Sequence, residues 1–342
     1  MRIWPTATVA VSAVLLVGGS VGAQRMPEPA ASGRPDPVRI GVVLKGLDNP
    51  FFLAMYAGVR AETAMLGVRA AVRSVTGDSD LAGERGQVRA LAAQRQGCYV
   101  VNPITATNLV PALRDVRGPI VNVDSPVDPA AARRGHVRIR SYIGTDDFAA
   151  GRLAGTTMAA LLRRGGDVAL LAGLPSSANS GFRLRGFEQG IAGSRVRVVE
   201  RVTADYDRTK AEVAAGQILR RHPRIAGFFA VNDLMALGVA DAVRAADRAG
   251  RVEVIGLDGI AEALDAVREG SLAATVSQYP YVMGRMAVEA CAAAARGAVL
   301  PARVVAPIAL IDRGNVDRAI AAFPRPVGSY ADPFRRLVQS TG

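Results

Sequence analysis

The sequence is poor in several residue types that build particular kinds of site. Only two of its 342 residues are cysteine, Cys98 and Cys291, so disulfides do not build this fold. Only two histidines occur, His136 and His222, which argues against a histidine–cysteine metal site, and we expect no metal. There is also no G-x-S-x-G nucleophile elbow, no phosphate-binding P-loop and no G-x-G-x-x-G after the first predicted strand. We therefore expect neither an enzyme nor a bound cofactor.

Basic residues are abundant, but they are not clustered. The chain has 42 Lys and Arg against 30 Asp and Glu, for a net charge of +12, and only Lys45 and Lys210 are lysines. Such a balance raises the question of a nucleic acid or an anionic membrane as partner. Because the arginines are scattered among acids, with no run of five or more, we interpret them as a solvated basic surface and expect no nucleic-acid partner.

The N-terminus has the features of a secretory signal. Arg2 precedes a short apolar run at residues 9–19, and "VGAQ" at residues 21–24 offers the small residues that a signal peptidase requires. We interpret residues 1–23 as a cleavable signal peptide, with an uncleaved membrane anchor as the alternative, and residues 24–37 as a proline-rich, disordered tether. No later apolar run reaches the ~18 residues of a membrane span. The mature chain is therefore expected to be exported.

Beyond the tether, short apolar strands alternate with helical patterns, which is typical of a parallel sheet covered by helices on both faces. The predicted strands are 38–44, 68–75, 98–102, 119–124, 167–173, 195–202, 225–231 and 252–258. Helical patterns lie between them, near 50–66, 80–96, 105–116, 147–163, 182–192, 208–221 and 233–248. The two sets of strand–helix units predict two similar α/β lobes.

Several predicted strands end in small polar groups. The first is followed by "KGLDN" and the later ones by "NPIT", "VDS", "VND" and "LDG". A single Asp after a strand is usually a helix cap, so no one position carries an argument. Ligands of open parallel sheets bind outside the carboxyl ends of the strands, however, where the loops leave a crevice. The repetition therefore predicts a cleft lined with hydrogen-bonding groups.

Two adjacent aromatic residues stand at this edge of the first predicted sheet, although only 5% of the chain is aromatic. Asn49 suits a helix N-cap and Pro50 the first helical position, so Phe51 and Phe52 fall in the first turn. Phe52 matches the apolar stripe of the helix, whereas Phe51 is off that stripe and is expected to face the crevice. An aromatic ring beside Asp and Asn suits a ligand with C–H faces and hydroxyl edges, such as a sugar.

These segments carry a resemblance to a known family. "IGVV…NPFF" (40–52), "GFFAVNDLMALGVADAV" (227–243), "VIGLDG" (254–259) and "GSLAATVSQYPYVMG" (270–284) resemble periplasmic sugar-binding proteins of the ribose-binding type. The resemblance runs in order from about Val38 to Asp312.

The family implies two flavodoxin-like parallel-sheet lobes joined by a three-segment hinge, the periplasmic binding protein type I fold. The N-terminal lobe would comprise residues 38–145 and 279–306, and the C-terminal lobe 146–278 and 307–315. Residues 316–342 contain too many breakers for a core element, and we expect a surface tail there.

The resemblance also implies a ligand site. Its predicted contacts are Asn49, Phe51, Phe52, Asp124, Tyr206, Asn232, Asp258 and Gln278. Asn49 would bond a sugar hydroxyl, Asp124 would accept hydroxyl protons, and Tyr206 would close the pocket from the second lobe. Gln278 would stand beside the second hinge crossing.

Two departures from the family pattern affect the choice of ligand. Ser125 and Gly181 stand where the family often has arginine. Lys45, Ser125 and Arg183 are therefore only possible contacts: Lys45 could replace one charge, and Arg183 matches a family arginine that we expect to brace a loop. A pentose, a hexose, a sugar alcohol or another small polar molecule fits the remaining groups as well as ribose does.

The leading hypothesis is a monomeric periplasmic solute-binding protein that delivers a sugar or polyol to the transmembrane subunits of an ABC import permease. The alternative is a ligand-sensing periplasmic receptor for a membrane histidine kinase. A transcription regulator of the lactose-repressor type would need an N-terminal helix-turn-helix in place of the signal. The resemblance places Cys98 and Cys291 in the same lobe, and whether they pair stays open.

Overall fold

The computed structural model describes residues 37–77 and 79–340. The predicted signal peptide and all but the last residue of the predicted tether lie outside the described residues. Across the described ranges, the helices fall short of the length and apolarity that crossing a membrane requires.

The described elements alternate between strands and helices along most of the chain. Up to the end of the first strand set they are β1 (Arg39–Leu44), α1 (Pro50–Leu66), β2 (Arg69–Ser74), α2 (Leu81–Ala93), β3 (Cys98–Val101), α3 (Val110–Leu113), β4 (Ile120–Val123), α4 (Pro129–Arg134) and β5 (Ile139–Gly144). The second set comprises α5 (Asp147–Leu161), β6 (Gly166–Ala172), α6 (Ala178–Ile191), β7 (Val196–Thr203), α7 (Arg208–Arg221), β8 (Ile225–Ala230), α8 (Asp233–Ala245), β9 (Glu253–Asp258), α9 (Ala261–Glu269) and β10 (Ala274–Ser277). The last elements are α10 (Pro280–Ala295), β11 (Arg303–Val305), β12 (Ala309–Asp312), α11 (Val316–Ala322) and α12 (Pro333–Ser340).

The strands form two six-stranded sheets, in the orders β11-β5-β4-β3-β1-β2 and β12-β10-β9-β8-β6-β7. Among the described residues, all strand pairings are parallel except that of β12 with β10. Each sheet reverses its strand order next to its first strand, which is the switch point where ligands of such sheets bind. The predicted fold, two flavodoxin-like parallel-sheet lobes, is confirmed.

The chain passes between the sheets three times. Sheet membership changes between β5 and β6, between β10 and β11, and between β11 and β12. The predicted boundaries at 145/146, 278/279 and 306/307 fall inside these intervals, although the lobe limits themselves stay predictions. Strand β5 did not stand out in the sequence because exposed arginines interrupt its apolar pattern, "VRIRSYIG".

The segment after residue 315 corrects one expectation. Instead of a tail without a core element, it forms α11 and α12, and the Phe334 side chain is fully buried. The prolines and glycine of residues 324–333 separate the two helices and do not prevent packing. Phe334, Leu337 and Val338 repeat at three- and four-residue spacing, which gives α12 an apolar stripe toward α10.

A disulfide settles the open question about the cysteines. Cys98 on β3 and Cys291 on α10 are bonded, with their Cα atoms 5.5 Å apart. The bond joins residues 193 positions apart in the sequence. It therefore attaches α10, which arrives late in the chain, to the central part of the first sheet.

Removing this bond is expected to destabilise the fold, because a long closed loop restricts the unfolded chain. Reduction of the native protein should lower its free energy of unfolding by about 2–5 kcal/mol, measured by urea denaturation with and without dithiothreitol. The Cys98→Ala/Cys291→Ala variant is the control, since reductant should leave its midpoint unchanged. An equal midpoint for the oxidised and reduced native protein would contradict the prediction.

Candidate functional site

A cleft of about 370 Å³, partly open to solvent, lies between the carboxyl ends of the two sets of strands. The first lobe contributes Lys45, Asn49, Phe51, Phe52, Asp124 and Ser125, and the second contributes Ser177, Asn179, Arg183, Tyr206, Asn232 and Asp258. The structure thus brings ten of the eleven predicted site residues to one cleft.

The polar groups of the first lobe form a connected chain. The Lys45 ammonium, directly after β1, donates to the Ser125 hydroxyl at 2.7 Å, and that hydroxyl donates to the Asp124 carboxylate at 3.2 Å. The Lys45 nitrogen also lies 3.6 Å from Asp124 Oδ2. Asp124 follows β4 with a φ of 57°, and its carbonyl accepts from the Tyr142 hydroxyl at 2.6 Å. These contacts hold the Asp124 carboxylate at the cleft. They also hold the Asp124 backbone in a left-handed conformation that L-residues seldom adopt.

The aromatic wall is set by the start of α1. The Asn49 side-chain oxygen accepts from the Phe51 backbone N–H at 3.0 Å, so a ligand can be contacted by the Asn49 amide nitrogen. Phe51 and Phe52 are both buried and pack edge to face, with ring centroids 5.3 Å apart. Lys45 lies 5.2 Å from the Phe52 ring centre. The two rings therefore line the cleft and belong to the apolar core as well.

Arg183 on α6 is the centre of the second-lobe face. Its Nε donates to Asp147 at 2.7 Å, and its Nη1 donates to the Val231 carbonyl at 2.8 Å and to Asp258 at 3.4 Å. Its Nη2 donates to the Gln278 side-chain oxygen at 2.9 Å. Only 4% of the residue is exposed. Arg183 both braces the loops and lines the cleft, whereas the sequence favoured bracing alone.

The charges around this guanidinium are buried and depend on one another. Burial by itself would lower the pKa of Arg183, but the charges of Asp147 and Asp258 outweigh it and raise that pKa above its ordinary value. Burial raises the pKa of Asp147 and raises that of Asp258 well above its usual range, while Arg183 opposes both shifts. The charges of the three groups therefore depend on one another, and removal of the cation would leave two buried acids without a positively charged partner.

Tyr206 closes the cleft from the loop after β7. Its hydroxyl pairs with the Ser177 hydroxyl at 2.6 Å, and burial raises its pKa to about 12, so the phenol keeps its proton at neutral pH. The residue has a φ of 65°. Its ring lies over Gly173, where an added Cβ would come within 2.2 Å of a ring carbon. Glycine after β6 is therefore required for this placement.

Asn232 and the buried Asp233 order the ends of β8 and β9. The Asn232 side-chain oxygen accepts from the Met235 N–H at 3.0 Å and caps α8. Asp233 accepts from the backbone N–H groups of Gly259 and Ile260 and from the Thr275 hydroxyl, at distances between 2.7 and 3.0 Å. These bonds fix the loop that follows Asp258.

One predicted contact needs correction, and two were missed. Gln278 is fully buried and does not line the cleft; its side chain bonds Arg183, because the second hinge crossing lies behind that residue. Ser177 and Asn179 line the cleft without having been predicted. Both residues fit the rule that polar residues after a strand line the cleft, because the polar stretch "SSANS" closely follows β6.

Comparison with known proteins agrees with this geometry. The periplasmic binding protein domain matches residues 40–298. The ribose import binding protein RbsB of Bacillus subtilis (strain 168) is 29% identical over 303 residues, which cover 88% of this chain and 95% of that protein. The D-allose-binding periplasmic protein of Escherichia coli (strain K12) is 31% identical over 277 residues, covering 79% and 89%.

A solved structure shows the same architecture. The ABC transporter periplasmic solute binding protein of Actinobacillus succinogenes 130z, with bound D-allose, superposes with a TM-score of 0.79 at 26% identity. The match covers 82% of this chain and 99% of that one. Two lobes around one polar cleft define a solute-binding protein, and the chain belongs to the periplasmic binding protein family. The predicted membership of this family is confirmed.

Replacement of the buried cation should be costly. Arg183→Ala leaves Asp147 and Asp258 buried without their partner, so the free energy of unfolding should fall by about 3–5 kcal/mol, measured by urea denaturation. The matched control is Arg185→Ala on the same helix, which removes only an exposed guanidinium near Phe182 and should change it by less than about 0.5 kcal/mol. Similar values for the two variants would contradict the role given to Arg183.

Asp233 should make stability depend on pH in a mildly acidic window. Burial raises its pKa to about 6, above the 3.8 of a free Asp, so its contribution is fully present below pH ~4 and is lost as the pH rises through about 6. Asp233→Asn can still accept from the two backbone N–H groups and donate to Thr275. The melting temperature of Asp233→Asn, relative to that of the native protein, should therefore rise between pH 4 and pH 7. A difference between the two melting temperatures that stays constant over this range would contradict the prediction.

Proposed function

We propose that the cleft binds one neutral sugar or sugar-like polyol and that the protein delivers it to an ABC import permease. The observation that carries the proposal is the composition of the cleft, in which both lobes present hydrogen-bonding groups around a pair of aromatic rings. The rings of Phe51 and Phe52 suit the C–H faces of a sugar, while carboxylate, amide and guanidinium groups suit its hydroxyls.

The charge of the cleft favours a neutral ligand. Its charged side chains lie in two groups, Lys45 with Asp124, and Arg183 with Asp147 and with Asp258, whose pKa burial raises well above its usual range. Each cation is thus already matched by a carboxylate, and the lining carries no excess charge to offset an anionic or cationic ligand. Carboxylate and guanidinium can still accept and donate hydroxyl hydrogen bonds, which gives direction and specificity.

The named relatives narrow the ligand class. Two are named for ribose and allose, and one solved structure contains D-allose. D-ribose and D-allose share the same arrangement of their neighbouring hydroxyls, so an aldose of this configuration is the first candidate. Ser125 and Gly181, which replace family arginines, are expected to shift the preference among such sugars.

Binding would act through hinge closure. A ligand that bonds Asp124 in one lobe and Arg183 in the other stabilises the closed arrangement, and the permease would recognise that form. The signal-like N-terminus supports export to the periplasm, where we propose that the protein works as a monomer. The described residues offer no feature that favours the histidine-kinase receptor as the function.

Calorimetric titration with D-ribose, D-allose and myo-inositol tests the proposal, with ribose 5-phosphate and gluconate as anionic comparators. Asp124→Asn removes a charged acceptor at constant volume and should weaken binding of the best neutral ligand about 10–100-fold, the range of a hydrogen bond to a charged group. The control is Asp115→Asn in the same lobe, whose carboxylate is exposed and should not affect binding. Binding of the anions alone, or equal affinity of Asp124→Asn and the native protein, would refute the proposal.

A further inference from the structure

The chain passes between the lobes once more after the three hinge crossings. Helix α11 packs against α9 and β12 of the second lobe, whereas α12 packs against α10, which covers the first sheet. Residues 323–332, here called the interlobe strap, connect the two helices. The strap and α12 together therefore attach one lobe to the other at a point separate from the hinge strands.

The strap lies against both lobes beside the hinge. Phe323, Pro324 and Arg325 line a narrow cavity with only about 10 Å³ of free space, whose other walls include Ala54 of the first lobe and Gly259 of the second. Further along the strap, the side chains of Val327 and Tyr330 pack on the core. The backbone of Val327 also lies near the hydroxyl of Tyr279, the residue at the second hinge crossing, although that hydroxyl has no hydrogen-bond partner among the described residues.

Helix α12 is anchored by apolar and polar contacts. Phe334 is fully buried and Val338 is 9% exposed. The Asp332 carboxylate accepts from the backbone N–H of Phe334 at 3.1 Å and so caps the start of the helix. The Arg335 guanidinium lies 3.9 Å from the carboxylate of Glu289 on α10.

An acid pair adds to the anchor. The side chains of Glu289 and Asp332 are within hydrogen-bonding range of each other, and burial raises the pKa of Glu289, with Asp332 and Glu62 adding to the shift. Within the described part of the chain, Glu289 Oε2 and Asp332 Oδ2 meet no donor. A proton on Glu289 would allow its carboxyl to donate to the Asp332 carboxylate, which would add a polar link between α10 and the start of α12.

We propose that the interlobe strap and α12 form a fourth connection between the lobes, which stabilises the closed cleft and thereby sets ligand affinity. The cavity beside the strap is walled by residues adjacent to the ligand site. Ala54 follows the aromatic pair on α1, and Gly259 follows Asp258 directly. Opening of the cleft moves these walls apart and removes the contacts that the strap makes with one of them. The strap therefore favours the closed population before ligand arrives.

The test compares the native protein with Phe334→Ala, which removes the apolar anchor of α12, and with a chain that ends at Ala322. Leu161→Ala, an exposed leucine on α5, is the matched control. Hydrogen exchange first shows that the α12 amides lose protection in Phe334→Ala. Small-angle scattering without sugar should then give a larger radius of gyration for both strap variants than for the native protein and Leu161→Ala.

The affinity measurement rests on the proposed function, whereas the scattering measurement does not. With D-ribose or D-allose as the probe, both strap variants should bind about tenfold more weakly, within the range of typical coupling between sites. Unchanged scattering and affinity in the shortened chain would overturn the proposal. If the native protein binds neither these sugars nor myo-inositol, the proposed function fails, and the sugar-free scattering still decides the role of the strap.

Discussion

The arrangement of the second-lobe face depends on one buried cation. The guanidinium of Arg183 meets the first residue of α5, the residue after β8, the last residue of β9 and the hinge residue Gln278. A buried charge is stable only when its hydrogen bonds are satisfied, so these four pieces of chain are held in one relative position. The same guanidinium lines the cleft, and a ligand that meets it also meets the group that orders the hinge.

Close helix packing makes this position possible. Helices α5 and α6 approach each other through glycines, and a Cβ on Gly151 would lie 2.0 Å from the Arg183 carbonyl oxygen. The first lobe uses a similar contact, where a Cβ on Gly284 would lie 2.1 Å from the Met55 carbonyl oxygen on α1. Small residues at these contacts thus determine how closely the paired helices approach each other.

Much of the fold and most of the cleft could be predicted, because the signals are local. Strand ends followed by Asp or Asn mark the carboxyl edge of a parallel sheet, and this rule located Asp124, Asn232 and Asp258. Ser177 and Asn179 were within reach of the same rule. The sequence of α12 also contains the apolar stripe that packs on α10, but the prolines before the helix obscured this pattern.

What the sequence could not supply are relations between distant residues. The partners of Arg183 lie 36 to 95 positions away, so their convergence follows from topology and not from any motif. The family pattern gives the position of Gln278 in the chain but not the side of Arg183 on which its side chain lies. The predicted ligand contact of Gln278 therefore could not be checked from the sequence. The Cys98–Cys291 bond spans 193 positions, and its distance could be known only from the folded chain.

The central claim is that one ligand bridges the Lys45–Asp124 pair of one lobe and the Arg183–Asp258 pair of the other. A crystal structure of the protein grown with D-allose tests it most directly. We expect the sugar between the lobes, with hydroxyl oxygens about 3 Å from polar atoms of both pairs. A sugar bound to one lobe only, or outside the cleft, would contradict the account.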